Sequence, residues 1–255
     1  MTTSSTRSVR EQFGAVAEAY AVSAYHANGP DLAAMIAAAG LTGVERVLDM
    51  GCGAGHSAIA AAAHAAQVTA LDVTPEMLAV AAGLASERGL TNMTFQQGDV
   101  SALPFADASF DVVTSRVSAH HYADPSKALS EAFRVLRPGG RFLLVDTIVP
   151  EDATLDTFSN CFELLRDSSH VRNWRATEWL RMLKSAGFEA TLLDRYVIRL
   201  EGANWVERMR TPPTKVAMLR ELFRDAPPAV RAAYEVEDSP WMFSIPSALF
   251  AAHKP

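Results

Sequence analysis

Three aspartates and a run of alternating glycines are the residues of this chain whose placement could do chemistry. Val47-Leu48-Asp49-Met50-Gly51-Cys52-Gly53-Ala54-Gly55 passes from branched and long aliphatics, the composition of a buried strand, to an acid and then to glycines, with an alanine-rich segment behind. Residues without a Cβ let backbone turn tightly and approach a ligand, so the stretch predicts a nucleotide-type cofactor loop. The spacing is G-x-G-x-G, and His56 stands where the dinucleotide fingerprint G-x-G-x-x-G has its third glycine. Downstream, Leu71-Asp72 closes a second apolar run, Gly98-Asp99-Val100 closes a third, and Arg137-Pro138-Gly139-Gly140 introduces a fifth strand.

Regular alternation is needed to bring these residues together. Strands are predicted at 44–50, 67–72, 93–97, 110–115 and 140–149, with helices at 55–65, 75–88 and 125–136 between them. Strands separated by helices imply a parallel sheet covered on both faces, with ligands bound outside the carboxyl ends of the strands. Helices at 9–20 and 30–39 precede this core, the second opened by Asn28-Gly29-Pro30-Asp31. Beyond Pro150 come helices at 151–166 and 177–186 and a strand at 188–200. A helical insertion at 203–237 follows, placed to cap the cofactor, and then a last strand from Trp241 to Phe250. The fold class is α/β, a Rossmann-like doubly wound seven-stranded sheet with a helical lid. One domain is expected over 1–255, with a lid at 1–40 and substrate-capping insertions at 151–175 and 203–237.

The stretches "VLDMGCGAGH", "QQGDVSALPFADASFDVV" and "EAFRVLRPGGRFLLVD" resemble the class I S-adenosylmethionine (SAM)-dependent methyltransferases, in particular their ubiquinone/menaquinone C-methyltransferase-like (methyltransferase type 11) group, over nearly the whole length. "LRDSSHVRNW" resembles a segment of a bacterial subset of that group. The resemblance implies SAM as cofactor. By it, Asp49, Met50, Gly51, Gly53 and Gly55 lie along the methionine portion, Asp72 with Val73 meets the ribose, and Gly98, Asp99 and Val100 meet the adenine, on which Met77 packs. Ser115 and Arg116 face the methionine end, and Phe13, Tyr20 and Tyr25 belong to a segment that folds over the cofactor.

Electrostatics points the same way. A pyrophosphate wants backbone N–H donors and little negative charge nearby, whereas Asp49, Asp72 and Asp99 at three strand ends would make one crevice negative and favour a cation. SAM carries no phosphate, and its sulfonium and ammonium outweigh its carboxylate. Asp49 and Asp72 could instead cap the following helices, and Arg116 could pair with a pocket acid rather than hold the cofactor carboxylate.

His120 and His121 follow Arg116, and His121, His120 and His170 are the candidate catalytic residues, with His26 a further candidate base. Methyl transfer needs little covalent help, since alignment in a dry site supplies most of the rate, so a structural His-His pair is an equal reading. Arg166 or Arg172 could hold an acidic or phenolic group, with a solvated loop as the alternative. Phe158, Phe162, Trp174, Trp205, Met209 and Trp241 would line an apolar acceptor pocket or serve as core.

A net charge of −6 and the absence of basic runs argue against nucleic acid as a partner. Two cysteines and seven histidines without ligand spacing predict no disulfide framework and no metal. The N-terminal segment has no signal-type apolar core, and no stretch approaches the roughly 20 apolar residues that span a bilayer; a cytoplasmic protein with a small-molecule acceptor is expected, a homodimer being an open alternative. Three functions compete. The leading one is methyl transfer from SAM to a partly aromatic or isoprenoid-like C- or O-nucleophile. A second is a SAM-binding protein or non-methylating enzyme on the same fold. The third, an NAD(P)-linked oxidoreductase, is opposed by His56, by Asp49 and by the spacing of Tyr122 and Lys127, one residue too long for a Tyr-x-x-x-Lys pair.

Overall fold

Phe142 and Leu144 enter one hydrophobic layer while Leu143 and Val145 enter the other, the period of two that a strand covered on both faces must show. The computed structural model describes residues 4–255, so residues 1–3 of the expected 1–40 lid lie outside the described residues. Strands β1 (Arg46–Met50), β2 (Gln67–Asp72), β3 (Met93–Gln97), β4 (Phe110–Arg116) and β5 (Leu136–Val149) are parallel. Beyond them in the chain come β6 (Trp174–Arg175), which pairs with β5, then β7 (Glu189–Glu201), β8 (Glu237–Asp238) and β9 (Trp241–His253), the last two paired with each other. The sheet order is β3-β2-β1-β4-β5-β9-β7, with β9 antiparallel to both β5 and β7. The order reverses between β1 and β4, and the crevice expected at such a switch opens there.

One layer sets α7 (Pro125–Val135) and α9 (Ala176–Ser185) against the sheet, where Leu129, Trp179 and Phe188 are buried. The other sets α4 (Pro30–Ala39) and α5 (His56–Ala62) against it through Leu32, Met35 and Ala58. The α6 helix (Pro75–Glu87) contributes Met77 to a small cluster with Ala17 and Ala54. Strand β5 starts earlier than the sequence predicts. Leu136 already pairs with Phe110, and the register shifts before Arg141 meets Val112, so the Arg137–Gly140 stretch is accommodated inside the strand.

The expected helix at 9–20 is two helices, α1 (Ser4–Gly14) and α2 (Ala17–Ala21), followed by α3 (Ala24–Asn28). Gly14 lies against α6, where a Cβ would stand 3.2 Å from the Glu76 carboxylate, and the turn after it brings the Phe13 and Tyr20 rings to 5.5 Å. The 203–237 segment is helical as expected, in α10 (Gly202–Arg208), α11 (Pro213–Arg224) and α12 (Pro228–Ala233), but its apolar face has a different destination. Trp205, Phe223 and Tyr234 pack with Phe158 and Phe162 of α8 (Ala153–Arg166) and with Trp241 and Phe243 of β9 in a third core. Rings here lie 4.8–6.4 Å apart, edge-on or tilted for the most part. The approach is close enough that a Cβ on Gly202 would sit 2.1 Å from the Trp241 ring. Among the described residues no helix is long and apolar enough to cross a membrane.

Candidate active site

A cavity of about 290 Å³ opens where β1, β2 and β4 end, under the lid formed by α1–α3. Its floor is the glycine turn. Gly51 and Gly55 have φ of +67° and +85°; a Cβ would meet Ser118 Oγ at 2.8 Å from the first and Ala81 Cβ at 2.7 Å from the second. Both positions therefore need glycine for conformation and for space. The turn's N–H groups are turned inward. Gly51 and Cys52 donate to the Leu71 carbonyl at 2.8 and 3.0 Å, Gly53 to Asp72 Oδ2 at 2.9 Å, and Gly55 to the Cys52 carbonyl at 2.9 Å.

The acids divide into two at the wall and one beneath it. Asp72 and Asp99 line the cavity together with Val73, Met77, Gly98 and Val100, as the sequence predicts. Asp72 also accepts from the Thr74 N–H at 2.8 Å, so the same carboxylate orders the turn and the start of α6; burial raises its pKa. Asp99 accepts from the Ser101 N–H and hydroxyl. Asp49, expected in the same crevice, does not reach it. Its carboxylate is 1% exposed behind the turn, with Oδ1 accepting from Thr114 at 2.7 Å and buried Oδ2 without a hydrogen-bond partner. Burial pushes its pKa up to about 7. Met50 and Gly55 likewise shape the site from below, outside the cavity lining.

Arg116 does line the cavity, but its guanidinium is engaged elsewhere than the sequence predicts. Nε donates to Asp31 Oδ2 at 2.6 Å, and the two terminal nitrogens donate to the carbonyls of His26 (2.8 Å) and Tyr25 (3.2 Å). The residue expected to grip a ligand thus pins α3 and α4 to the end of β4. Ser115 is fully buried against the Tyr122 hydroxyl at 2.9 Å, and Tyr25 packs under Arg116, so neither lines the cavity, whereas Tyr20 does.

Of the three candidate catalytic histidines only His121 reaches the cavity, and His26 joins it. The His121 Nδ1–H donates to the Ser169 carbonyl at 3.1 Å, which leaves Nε2 unprotonated in the neutral ring. Burial, and after it the charge of His120, holds the His121 pKa below the ordinary range; burial, followed by Arg208, does the same for His26. His120 lies behind His121, its Nδ1–H donating to Asp146 at 2.6 Å; burial opposes its charged form, but Asp146 outweighs burial and its pKa is raised. His170, expected at the site, is instead buried away from the cavity, with Nε2 bonded to Asn160 at 3.1 Å, and burial lowers its pKa. Arg172 pairs with Asp156 at 2.8 Å and Arg166 donates to the Trp205 carbonyl at 3.0 Å, so neither is at the cavity wall. Phe158, Phe162, Trp174, Trp205, Met209 and Trp241 are absent from the lining too, and the 203–237 insertion buttresses the lid rather than the ligand space: Gln12 donates to the Met209 carbonyl and Tyr20 to its sulfur.

Several lining residues carry no motif signal. Ser118 and Tyr122 close the space above Gly51, and Thr74 and Lys127 stand at the wall. His56 has a readable cause: its Nε2–H reaches the Tyr20 carbonyl at 3.0 Å, so the residue in place of a third glycine ties the turn to the lid. Among the described residues no group of His, Cys, Asp and Glu is placed to hold a metal ion.

This fold and this turn define a class I methyltransferase, and comparison with known proteins agrees. Residues 48–144 match a methyltransferase domain family. The chain is 42% identical over 200 residues to the uncharacterized methyltransferase YcgJ of Bacillus subtilis, covering 78% of this chain and 79% of that one; the YcgJ crystal structure superposes with a TM-score of 0.85 at 36% identity over 88% of this chain and 97% of its own. The demethylmenaquinone methyltransferase of Thermus thermophilus is 41% identical over 104 residues, 40% of this chain and 47% of that one. The [4+2]-cyclase SpnF has a TM-score of 0.62 at 26% identity over 88% of this chain and 79% of its own. The chain belongs to the SAM-dependent methyltransferases, in the group that includes the quinone C-methyltransferases.

Proposed function

We propose that the cavity binds SAM and that the enzyme transfers its methyl group to a small, partly aromatic or isoprenoid-like acceptor at a carbon or oxygen nucleophile. One observation carries the cofactor assignment. In a phosphate-binding turn the glycine N–H groups point at the ligand; here those of Gly51, Cys52, Gly53 and Gly55 are all bonded within the protein, one of them to the carboxylate of Asp72. A turn with these four donors consumed, beside Asp72 and Asp99, disfavours a pyrophosphate and suits a cationic nucleoside. The buried carboxyl of Asp49, one layer beneath the turn, has its pKa raised to about 7 by burial and gains negative charge when a cation is bound above it. Asp72 and Asp99 supply acceptors for the ribose and adenine, Met77 an apolar face, and the Gly51–Gly55 turn a cradle without side chains for the methionine portion.

SAM supplies a methyl group on a sulfonium that is already a good leaving group. The chain's own part is alignment and exclusion of water. Phe13, Tyr20, His26 and His121 surround the space beyond the turn, the Phe13 and His121 rings meeting edge-on at 4.9 Å. His121 and His26 are neutral at working pH and accept hydrogen bonds; with pKa values held low they are weak bases, and they orient the acceptor rather than ionise it. His120 and His170 support His121 from behind. We read the chain as one catalytic domain, acting in the cytoplasm, with α1–α3 as its lid. Titration with SAM, S-adenosylhomocysteine (SAH) and NAD tests the cofactor, and following label from methyl-tritiated SAM into quinols, phenols and amines tests the transfer. Similarity to a [4+2]-cyclase supports a second reading in which SAM is held without giving up its methyl. SAM binding with no labelled product across the acceptor panel would favour it.

A further inference from the structure

The chain leaves β4 through a strained residue. Val117 has φ of +52°, a left-handed conformation unfavourable for a β-branched side chain, and its N–H donates to the Val145 carbonyl at 2.8 Å. Strain of this kind persists where the surrounding bonds impose it, and here it turns Val117, Ser118, His121 and Tyr122 into the cavity wall. Three parts of the cavity meet at this loop. Gly51 of the glycine turn lies against it, a Cβ there standing 2.8 Å from Ser118 Oγ and 3.2 Å from the Tyr122 hydroxyl. Tyr122 packs on the same hydrophobic layer as Val100, and the His121 ring meets that of Phe13 at 4.9 Å.

Oxygens gather at the junction. The Tyr122 hydroxyl lies 2.9 Å from Ser115 Oγ, 3.1 Å from Ser118 Oγ and 3.2 Å from the Met50 carbonyl. Ser115 and Ser118 Oγ are 3.1 Å apart, and Ser118 Oγ is 3.4 Å from the same carbonyl. Each hydroxyl brings one hydrogen and two lone pairs, and the carbonyl brings lone pairs alone. Every hydrogen therefore finds an acceptor inside the group, Tyr122 donating to Met50, and lone pairs are left over. Burial raises the Tyr122 pKa, so the phenol stays neutral. Arg116, the cation next to the loop in sequence, is already matched by Asp31 at 2.6 Å. Ser118 and Tyr122 thus offer the cavity acceptors and no spare donor.

We propose that Ser118 and Tyr122 form the subsite for the sulfonium of SAM, and that their hydroxyls make the protein bind SAM in preference to SAH, which has lost the charge. This rests on the SAM reading and adds which part of the cavity recognises the methyl-bearing sulfur. In SAM the sulfur joins the methionine chain, the nucleoside and the transferable methyl. It belongs where the glycine turn, the adenine wall and the Phe13–His121 rings converge, and the loop at 117–122 stands there. Oxygens with unused lone pairs stabilise a sulfonium and its polarised methyl hydrogens but give little to a neutral thioether. The ammonium is a second cation, common to SAM and SAH, so comparing the two ligands separates the one site from the other.

The test measures dissociation constants of SAM and SAH by calorimetry in the unmodified protein, in Tyr122→Phe and in Ser118→Ala. The expected result is SAM binding at least threefold more tightly than SAH in the unmodified protein, a preference reduced threefold or more in each variant, and SAH affinity changed less than twofold. SAH binding as tightly as SAM to the unmodified protein overturns the proposal, whether or not the variants fold. Equal losses of both ligands in the variants overturn it too, by assigning the hydroxyls to the ammonium. An unchanged preference in either folded variant does the same, by leaving that hydroxyl a purely structural bond. Failure of the unmodified protein to bind either ligand is distinct: it overturns the cofactor reading, and this one with it.

Discussion

Replacing Asp72 by alanine removes the acceptor for two backbone donors, Gly53 N–H at 2.9 Å and Thr74 N–H at 2.8 Å, and the one carboxylate that both orders the glycine turn and faces the cavity. The residue is 8% exposed, so its bonds are made in a partly desolvated setting. A buried donor left unpaired costs about 1–3 kcal/mol; Gly53 is part-buried and Thr74 buried, and removing the carboxylate also relieves its own desolvation, so the free variant should lose about 2 kcal/mol of stability. The ligand effect is separate. Charge-assisted bonds to the cofactor hydroxyls are worth about 1–3 kcal/mol, which at about 1.4 kcal/mol per tenfold raises the SAH dissociation constant about 5- to 150-fold. Calorimetric titration measures the second quantity and thermal unfolding of the same samples the first. A folded Asp72→Ala protein that binds SAH as tightly as the parent would refute the assignment and leave Asp72 as a structural cap of α6.

Other consequences are equally open to measurement. Arg116→Met strands Asp31, fully buried, without its 2.6 Å partner, and should cost about 3–5 kcal/mol, near 10 °C in Tm for a chain of this size at about 2–4 °C per kcal/mol; Arg116→Met/Asp31→Leu should recover most of it, and equal losses in single and double variants would contradict the buried-pair account. Asp49, with its pKa raised to about 7 by burial, favours the folded state most below its ordinary value of 3.8 and loses that contribution as pH rises through 7. A cation bound above it favours ionisation, so SAM binding at pH 6 should release a proton and weaken as pH falls from 7; equal apparent heats in phosphate and Tris buffers would show that no proton leaves. His121→Gln should lower turnover less than about tenfold, since a base with so low a pKa contributes little, whereas a loss of 10²- to 10⁴-fold would mark it as the general base.

The alternation of strands and helices through β5 was legible because short apolar runs mark the strands and the first three, β1 to β3, run into a glycine, an acid or both. The wall residues Asp72, Val73, Met77, Gly98, Asp99 and Val100 were legible for the same reason: they follow strand ends. What sequence spacing could not settle was which surface covers an apolar face. The interval of Leu219 and Phe223 on α11 specifies a helix face, yet nothing local says that it meets Phe158 and Phe243 rather than a ligand. Nor does an arginine after a strand reveal its partner, because Asp31 lies 85 residues away and only the folding of α4 over the sheet delivers it to Arg116. His170 next to Ser169 and Asp167 looked like a site cluster; its bond to Asn160 points it away.

The most direct test is calorimetric titration of the purified protein with SAM, SAH and NAD under identical conditions. Saturable one-to-one binding of SAM and SAH, with no heat from NAD, is the predicted result. Tight NAD binding with none of SAM would contradict the claim that inward-bonded glycine N–H groups beside Asp72 and Asp99 form a site for a cationic nucleoside.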